Sequence, residues 1–167
     1  RKMSTVNIAR GMRDILPDSF RKRRSVIQRI EAIFEQYGFS QIETPAVERI
    51  ETLMGKYGEE GNQLVFKILA RGEKGKQGFA DLALRYDLTV PLARVVAMNQ
   101  QLSMPFKRYQ IQPVWRADRP QKGRFREFYQ CDVDIVGTES RIAEAECISI
   151  VYDVLTALGF KDFKIRL

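Results

Sequence analysis

Charged residues that could bind phosphate are concentrated in one stretch of the chain, residues 114–137. Two β-prone runs flank a segment rich in Pro, Gly, Gln and charge, and this composition predicts a β-hairpin. Arg116 closes the first predicted strand. Arg124 and Arg126 open the second on a shared face, because side chains alternate along a strand. Arginine bonds phosphate oxygens in pairs through its planar fork, so the stretch predicts a phosphate-binding end.

Polar and acidic side chains follow on the second predicted strand, at Gln130, Asp132 and Asp134. A ribbon with one cationic end and one acidic end suits a ligand that carries phosphates at one end and an ammonium group at the other. Alternating charge is also typical of the solvated face of an antiparallel sheet. The spacing alone leaves both interpretations open.

The order of residues in this hairpin resembles the second signature motif of the class II aminoacyl-tRNA synthetases. That motif has an arginine, here Arg116, then a loop, then Arg-x-x-Glu-Phe, here residues 124–128. The runs Arg-Pro-Gln-Lys-Gly-Arg, at 119–124, and Gln-Cys-Asp-Val-Asp, at 130–134, are similar to the histidyl-tRNA synthetase family in particular.

Two upstream segments carry the same resemblance. Residues 84–91 read Leu-Arg-Tyr-Asp-Leu-Thr-Val-Pro and resemble the segment of the family that binds histidine, although Asp87 or Thr89 could equally be an ordinary helix cap. Residues 11–17 read Gly-Met-Arg-Asp-Ile-Leu-Pro and resemble a signature near the start of the family. We interpret residues 11–17 mainly as a capping loop for the next helix.

The resemblance implies a role for each matching residue. Arg116 would be catalytic, because it would hold the α-phosphate of ATP as charge builds there. The implied ligand sets are Arg116, Asp118, Arg124 and Phe128 for ATP, Asp87, Thr89, Gln130 and Asp134 for histidine, and Gln121 and Lys122 for the tRNA acceptor end.

The implied activity is that of a histidine–tRNA ligase. Histidine and ATP would give histidyl-adenylate and pyrophosphate, and the histidyl group would then pass to the 3′ end of tRNA(His). Mg²⁺ would bridge the ATP phosphates, with no protein residue assigned as its ligand. Motif 1 of the class, within residues 18–45, implies a homodimer.

Composition restricts the chemistry further. The 167 residues are 44% hydrophobic and 29% charged, which predicts a folded chain. The chain contains no histidine, which removes imidazole bases, and its two cysteines, Cys131 and Cys147, are expected to be reduced thiols. A net charge of +7 favours a polyanionic partner such as nucleic acid. No run of residues is apolar for the length of a membrane span, and we expect a cytoplasmic protein.

Hydrophobic periodicity predicts individual helices and strands, and the resemblance implies an α+β fold, in which helices flank an antiparallel sheet of the class II synthetase type. The first predicted helix runs from a cap at Asp18 to Gly38. Its apolar residues recur at helical spacing, with Arg and Lys on the other side: Phe20, Ile27, Ile30, Ile33, Phe34 and Tyr37. The helix at 140–158, capped by Thr138 or Ser140, would bury Ile142, Ala145, Ile148, Val151, Tyr152 and Leu155. Further helices are predicted at 47–56 and after Thr89, strands at 38–45, 64–69, 79–85, 106–115 and 160–167, and a mobile loop at 71–78.

We interpret residues 1–167 as one domain, the N-terminal part of a class II catalytic domain. Motifs 1 and 2 are present, whereas motif 3 and the anticodon-binding domain are not in this sequence. We therefore expect the 167 residues alone to be inactive. Two other classes stay open: a non-catalytic relative, such as a regulatory subunit or a synthetase-like kinase domain, and a plain RNA-binding module. The intact Arg116, Arg124, Glu127 and Phe128 favour the enzyme, and Asp87 and Asp134 would repel the phosphates of RNA.

Overall fold

The computed structural model describes residues 6–166, and residues 56–62 by their backbone alone. Five helices and six strands alternate along this part of the chain. In chain order they are α1 (Pro17–Gln36), β1 (Ser40–Gln41), β2 (Val47–Arg49), α2 (Ile50–Leu64), β3 (Lys67–Leu69), α3 (Glu73–Lys76), β4 (Ala80–Leu84), α4 (Thr89–Met98), β5 (Phe106–Trp115), β6 (Glu127–Val136) and α5 (Arg141–Ala157).

The described residues fall into two compact units. The first unit comprises residues 6–14, 44–98 and 112–130, and the second comprises residues 15–43, 99–111 and 131–166. Strands β5 and β6 are each divided between the units: residues 112–115 and 127–130 belong to the first, and residues 106–111 and 131–136 to the second. The mixture of helices with a largely antiparallel sheet confirms the predicted α+β fold class.

In the first unit, three short strands form an antiparallel sheet in the order β2-β4-β3. One face of this sheet packs on α2 and α4 through a small core of Leu53, Val65, Ala83 and Val90. Glu48 on β2 is only 5% exposed, and its carboxylate binds Arg94 of α4 at two nitrogens, with Nη2 at 2.7 Å from Oε1 and Nε at 3.0 Å from Oε2. The core and this ion pair together fix α4 against the sheet.

Arg85, the residue after β4, is a buried cross-link of the first unit. The residue is 1% exposed. Its Nε donates to the carbonyl of Pro113 at 2.8 Å, and its Nη1 donates to the carbonyl of Thr44 at 2.6 Å and to Oε1 of Gln112 at 3.1 Å. One guanidinium therefore bonds two other chain segments, at Thr44 and at residues 112–113, and ties β5 to the end of β4.

In the second unit, β1 pairs in parallel with β5, and β6 lies on the other side of β5. Helices α1 and α5 supply apolar side chains to one core with these strands. Its buried members are Ile30, Phe34, Phe39, Tyr109, Ile111 and Ile150. Tyr109 is 1% exposed and donates its hydroxyl to Glu35 at 3.0 Å, and burial, with Glu35 beside it, raises its pKa to about 12.

The helix boundaries differ from the sequence prediction at three places. Helix α1 begins at Pro17 after Leu16, which makes no side-chain cap, and Asp18 pairs with Arg21 instead of capping. Gly38 ends α1 as predicted, with a φ of +76°. Residues 47–49, predicted as helix, form β2 because they pair with β4, and α2 runs through three glycines to Leu64.

Three further expectations are wrong. Residues 73–76, within the predicted mobile loop, form the short helix α3 with a Lys76–Glu73 ion pair. Residues 160–166 form no strand, since no described strand pairs with them. Helix α5 has its Ser140 cap, which accepts from the backbone of Ile142, but its predicted stripe is largely exposed. Ile150, Val154 and Leu158 face the core instead, because a second set of apolar residues has the same helical spacing.

Among the described helices, none combines the length and the apolar character that a membrane span requires.

Removing the Arg85 guanidinium is expected to destabilise the chain. In Arg85→Met, the carbonyls of Pro113 and Thr44 lose a hydrogen-bond donor, and each such loss costs about 1–3 kcal/mol. We therefore expect the free energy of unfolding, measured by urea titration, to fall by roughly 3 kcal/mol or more. The exposed Arg71→Met serves as the matched control and should change the free energy by less than about 0.5 kcal/mol. Equal effects for both variants would contradict the cross-link.

Candidate functional site

The segment that joins β5 to β6, residues 116–126, is held in place by backbone hydrogen bonds from three directions. The amide of Arg116 donates to the carbonyl of Arg126 at 2.9 Å, which closes the base of the hairpin. The amide of Ala117 donates to the carbonyl of Leu64 at 2.7 Å, and the amide of Arg126 donates to the carbonyl of Gly11 at 2.8 Å. The backbone that carries the predicted phosphate-binding residues is therefore fixed by the fold.

Arg116, predicted as the catalytic residue, has its guanidinium close to two aromatic rings. Its Cζ lies 4.4 Å from the centroid of the Tyr86 ring and 5.1 Å from that of Phe128. Its Nε also donates to the carbonyl of Tyr86 at 3.2 Å. The stacking and the hydrogen bond set the plane of the guanidinium, so little orientational freedom remains to be lost when an anion binds.

A cavity of about 290 Å³ opens beside Arg116. It brings together four of the residues that the sequence predicted for ATP, namely Arg116, Asp118, Arg124 and Phe128. Gly123, Phe125 and Arg13 complete its lining. Three arginines and one carboxylate face this space, and this arrangement favours an anionic ligand.

Asp118 organises the loop side of the cavity. Its Oδ2 lies 3.3 Å from Nε of Arg124, and its backbone carbonyl accepts a hydrogen bond of 2.9 Å from Nε of Arg126. The prediction that Arg124 and Arg126 share a strand face is wrong, because β6 begins only at Glu127. Both arginines precede the ladder, and the turn and Asp118 set their directions instead of strand alternation.

The tip of the hairpin is a tight turn around Lys122 and Gly123. Gln121 and Arg124 form an antiparallel bridge, with the Arg124 amide 2.9 Å from the Gln121 carbonyl. Gly123 has a φ of +80°, a conformation that favours glycine. Gln121 and Lys122, the predicted tRNA contacts, are exposed at this tip.

Residues 11–13 are part of the site, which the sequence interpretation missed. Gly11 has a φ of +82°, and a Cβ built on it would lie 2.8 Å from Cγ of Arg126 and 2.9 Å from Cγ of Pro120. Arg13 stacks on Phe125, with its Cζ 4.0 Å from the ring centroid. Residues 11–13 therefore pack on the hairpin. Of the segment 11–17 that was expected to cap α1, Leu16 occupies the N-cap without a side-chain hydrogen bond and Pro17 begins the helix. The available signal was the arginine inside the motif at 11–17.

Two of the predicted histidine-binding residues lie at the start of α4. Asp87 is 7% exposed, and its Oδ1 accepts a hydrogen bond of 3.1 Å from the amide of Val90. The capping role that the sequence allowed for Asp87 is therefore present. Thr89 is the first residue of α4 and is exposed.

Gln130 on β6 contributes a buried acceptor to the first unit. Its Oε1 is inaccessible to solvent and has no hydrogen-bond partner among the described residues. A buried carbonyl oxygen without a donor costs about 1–3 kcal/mol, so this atom marks a place where a ligand donor would be favourable.

Asp134, the fourth predicted histidine-binding residue, belongs to the second unit. Its Oδ2 lies 2.5 Å from Nη2 of Arg108, whose side chain is fully buried. The pairing fixes the direction of the Asp134 carboxylate, of which 34% is exposed.

Comparison with known proteins decides the family. The family model described as histidyl-tRNA synthetase matches residues 11–167. The chain belongs to the histidyl-tRNA synthetase family. It is 50% identical to a histidine–tRNA ligase of Gloeobacter violaceus and 49% identical to one of Cytophaga hutchinsonii, and these alignments cover 94% and 99% of the chain.

Solved structures agree on the fold of this family member. A histidyl-tRNA synthetase from Nostoc superposes with a TM-score of 0.77 at 35% identity, over 93% of this chain and 35% of the other. A Bacillus halodurans protein, described as an ATP phosphoribosyltransferase regulatory subunit/histidyl-tRNA synthetase, superposes with a TM-score of 0.83 at 28% identity, over 98% and 41%. The chain spans 38% and 40% of the length of the two curated relatives above.

The two cysteine thiols of this family member do not line the cavity. Cys131 and Cys147 are free thiols, as the sequence predicted. Burial, with Asp132 beside it, raises the pKa of Cys131 to about 11, so the thiolate form is disfavoured at neutral pH. Among the side chains that the structure describes, which exclude those of residues 56–62, no three acidic or cysteine groups cluster in a way that could hold a metal ion.

Two glycine substitutions separate backbone strain from crowding in the hairpin. Gly123→Ala meets no atom within 4 Å and should cost only the left-handed conformation, about 1–2 kcal/mol. Gly11→Ala has nearly the same φ but also crowds Arg126 and Pro120, which adds roughly 1–3 kcal/mol. Urea unfolding of both variants should therefore rank Gly11→Ala as clearly less stable. Equal losses in the free energy of unfolding for the two variants would show that Gly11 does not pack on the hairpin.

Proposed function

We propose that this chain is the N-terminal part of the catalytic domain of a histidine–tRNA ligase. The full-length protein would activate histidine with ATP and transfer the histidyl group to tRNA(His). The observation that carries the proposal is the fixed guanidinium of Arg116 at the edge of a cavity that also contains Arg124 and Phe128. Identity of 49–50% to histidine–tRNA ligases supports the same conclusion.

The first half-reaction needs orientation and charge, and no nucleophile from the protein. A carboxylate oxygen of histidine attacks the α-phosphorus of ATP, the bond to the β-phosphate oxygen breaks, and pyrophosphate leaves with the bonding electrons. Arg116 would bind the α-phosphate, Arg124 the terminal phosphates, and Phe128 would stack on adenine, with Asp118 beside it. Mg²⁺ would arrive on the ATP phosphates and neutralise part of their charge.

Four residues would bind the amino acid. The buried Oε1 of Gln130 offers an acceptor to an ammonium group, and the carboxylates of Asp87 and Asp134 supply negative charge. Thr89 would add a hydroxyl contact at the start of α4.

In the second half-reaction, the 3′ hydroxyl of tRNA attacks the histidyl carbonyl and AMP leaves. Gln121 and Lys122, at the exposed tip of the hairpin, would contact the acceptor end.

Residues 18–45, which contain motif 1, would form the interface of a homodimer in the cytoplasm. Sedimentation of the full-length protein that shows only monomer at high micromolar concentration would contradict this assembly.

A second candidate function is a non-catalytic regulatory subunit. The observation that favours it is the Bacillus halodurans structure, because its description combines a regulatory subunit with a synthetase. Histidine-dependent pyrophosphate exchange distinguishes the two functions, since a regulatory subunit would produce none. The higher identity to the ligases and the preserved cavity arginines favour the enzyme.

Replacing Arg116 is expected to remove most exchange activity of the full-length protein. Arg116→Lys keeps the charge but loses the planar fork that Tyr86 and Phe128 hold. Losing one preorganised donor of this kind costs about 100- to 1000-fold in kcat. The exposed Arg119→Lys, three residues along the same loop, should stay within about twofold. The 167-residue chain alone should show no exchange above that of its own Arg116→Lys variant.

Replacing Asp134 should affect histidine much more than ATP. Asp134→Ala removes a charge-assisted hydrogen bond worth about 1.5–3 kcal/mol, so KM for histidine should rise roughly ten- to more than a hundredfold. KM for ATP should change little.

The single change also leaves Arg108 buried without its partner carboxylate, which destabilises the fold. The double variant Asp134→Ala with Arg108→Met removes that buried charge and should keep the histidine defect. Equal increases in KM for histidine and KM for ATP would contradict the assignment of Asp134 to histidine binding.

A further inference from the structure

Arg13 is the one cation of the cavity to which neither the sequence motifs nor the proposed ligand sets assign a role. Its backbone position is determined by the anchor two residues earlier, where the Gly11 carbonyl accepts from the Arg126 amide at 2.8 Å. The amide of Met12 donates to the carbonyl of Ala9 at 3.0 Å, which closes a turn just before Arg13. The chain therefore delivers Arg13 to the cavity through a fixed backbone.

The side chain of Arg13 is also oriented. Its Cζ lies 4.0 Å from the centroid of the Phe125 ring, the shortest of the described cation–aromatic distances. Stacking uses one face of the guanidinium and leaves the N–H groups at its edge available for hydrogen bonds. Among the residues whose side chains the structure describes, no carboxylate forms a salt bridge with Arg13, whereas Arg124 is already paired with Asp118 at 3.3 Å.

Charge and size restrict what the cavity can hold. Arg13, Arg116 and Arg124 against Asp118 leave an excess of two positive charges around about 290 Å³. Sites for small molecules are typically about 300–1,000 Å³, so a volume at the lower end of this range suits a compact charged group such as the phosphates of a nucleotide. A guanidinium that is stacked and has no acidic partner favours phosphate through paired hydrogen bonds.

We propose that Arg13 is a further phosphate-binding residue, which contacts the terminal phosphates of ATP and the pyrophosphate that leaves. This rests on the proposed function of the same site and adds a residue from outside the hairpin to it. Arg116 then binds at the reacting phosphorus, while Arg13 and Arg124 bind the leaving group from two sides. Arg13, from a segment outside the hairpin, thus contacts pyrophosphate directly.

The test uses the full-length protein and the exchange reaction, in which pyrophosphate itself is a substrate. Arg13→Met keeps a side chain of similar length over Phe125 and removes the charge. We expect KM for pyrophosphate and KM for ATP to rise about tenfold or more, since a charged hydrogen bond is worth a factor of that order. KM for histidine should stay within about twofold. Arg13→Lys should fall between the wild type and Arg13→Met.

Arg10→Met is the matched control, because Arg10 is exposed on the same segment but does not line the cavity. KM values for pyrophosphate that are the same in Arg13→Met and Arg10→Met would overturn the proposal. A defect confined to KM for tRNA in aminoacylation would overturn it in favour of an RNA contact. A uniform loss of kcat with all KM values unchanged would assign Arg13 a structural role only. Absence of exchange in the wild type would instead contradict the proposed function.

Discussion

The hydrogen bonds that fix the segment between β5 and β6 are the constraint on which the site depends. A loop of eleven residues, 116–126, would ordinarily lose much conformational entropy when a ligand fixes its side chains in one arrangement. Here the carbonyls of Gly11, Leu64 and Arg126 each accept from the loop or its base. The cost of ordering the loop is thus met when the chain folds, and a ligand encounters side chains that already have defined directions.

Four arginines of the first unit fall into two groups that differ in what their guanidinium groups contact. Arg85 and Arg94 are satisfied within the fold, Arg85 by backbone carbonyls and Gln112, and Arg94 by the buried carboxylate of Glu48. Arg13 and Arg116 instead stack on aromatic rings, which orient a guanidinium without neutralising its charge. A pairing of the first kind stabilises the structure, and a stacking of the second kind keeps positive charge available for an anion. The chemical environment, and not the residue type, separates structural from ligand-binding arginines.

The sequence predicted the hairpin well because its two long strands pair locally and its motif residues are specific. Strand β5 has the predicted bounds, and the cavity contains Arg116, Asp118, Arg124 and Phe128 as expected. The shorter elements failed for a tertiary reason. Val47–Arg49 has no strong strand signal of its own and becomes β2 only because β4 lies beside it. Helix α5 has two apolar stripes, and its own sequence does not reveal which one meets the core.

The contribution of Gly11 and Arg13 was out of reach for a related reason. Residues 11–13 are more than a hundred positions away from the hairpin in sequence, and periodicity within a segment says nothing about such a contact. Only the folded backbone shows that Gly11 leaves no room for a side chain beside Arg126 and Pro120. A glycine required by close packing, followed two residues later by a stacked arginine, gives the motif at 11–17 a physical meaning. The glycine allows the approach, and the approach positions the charge.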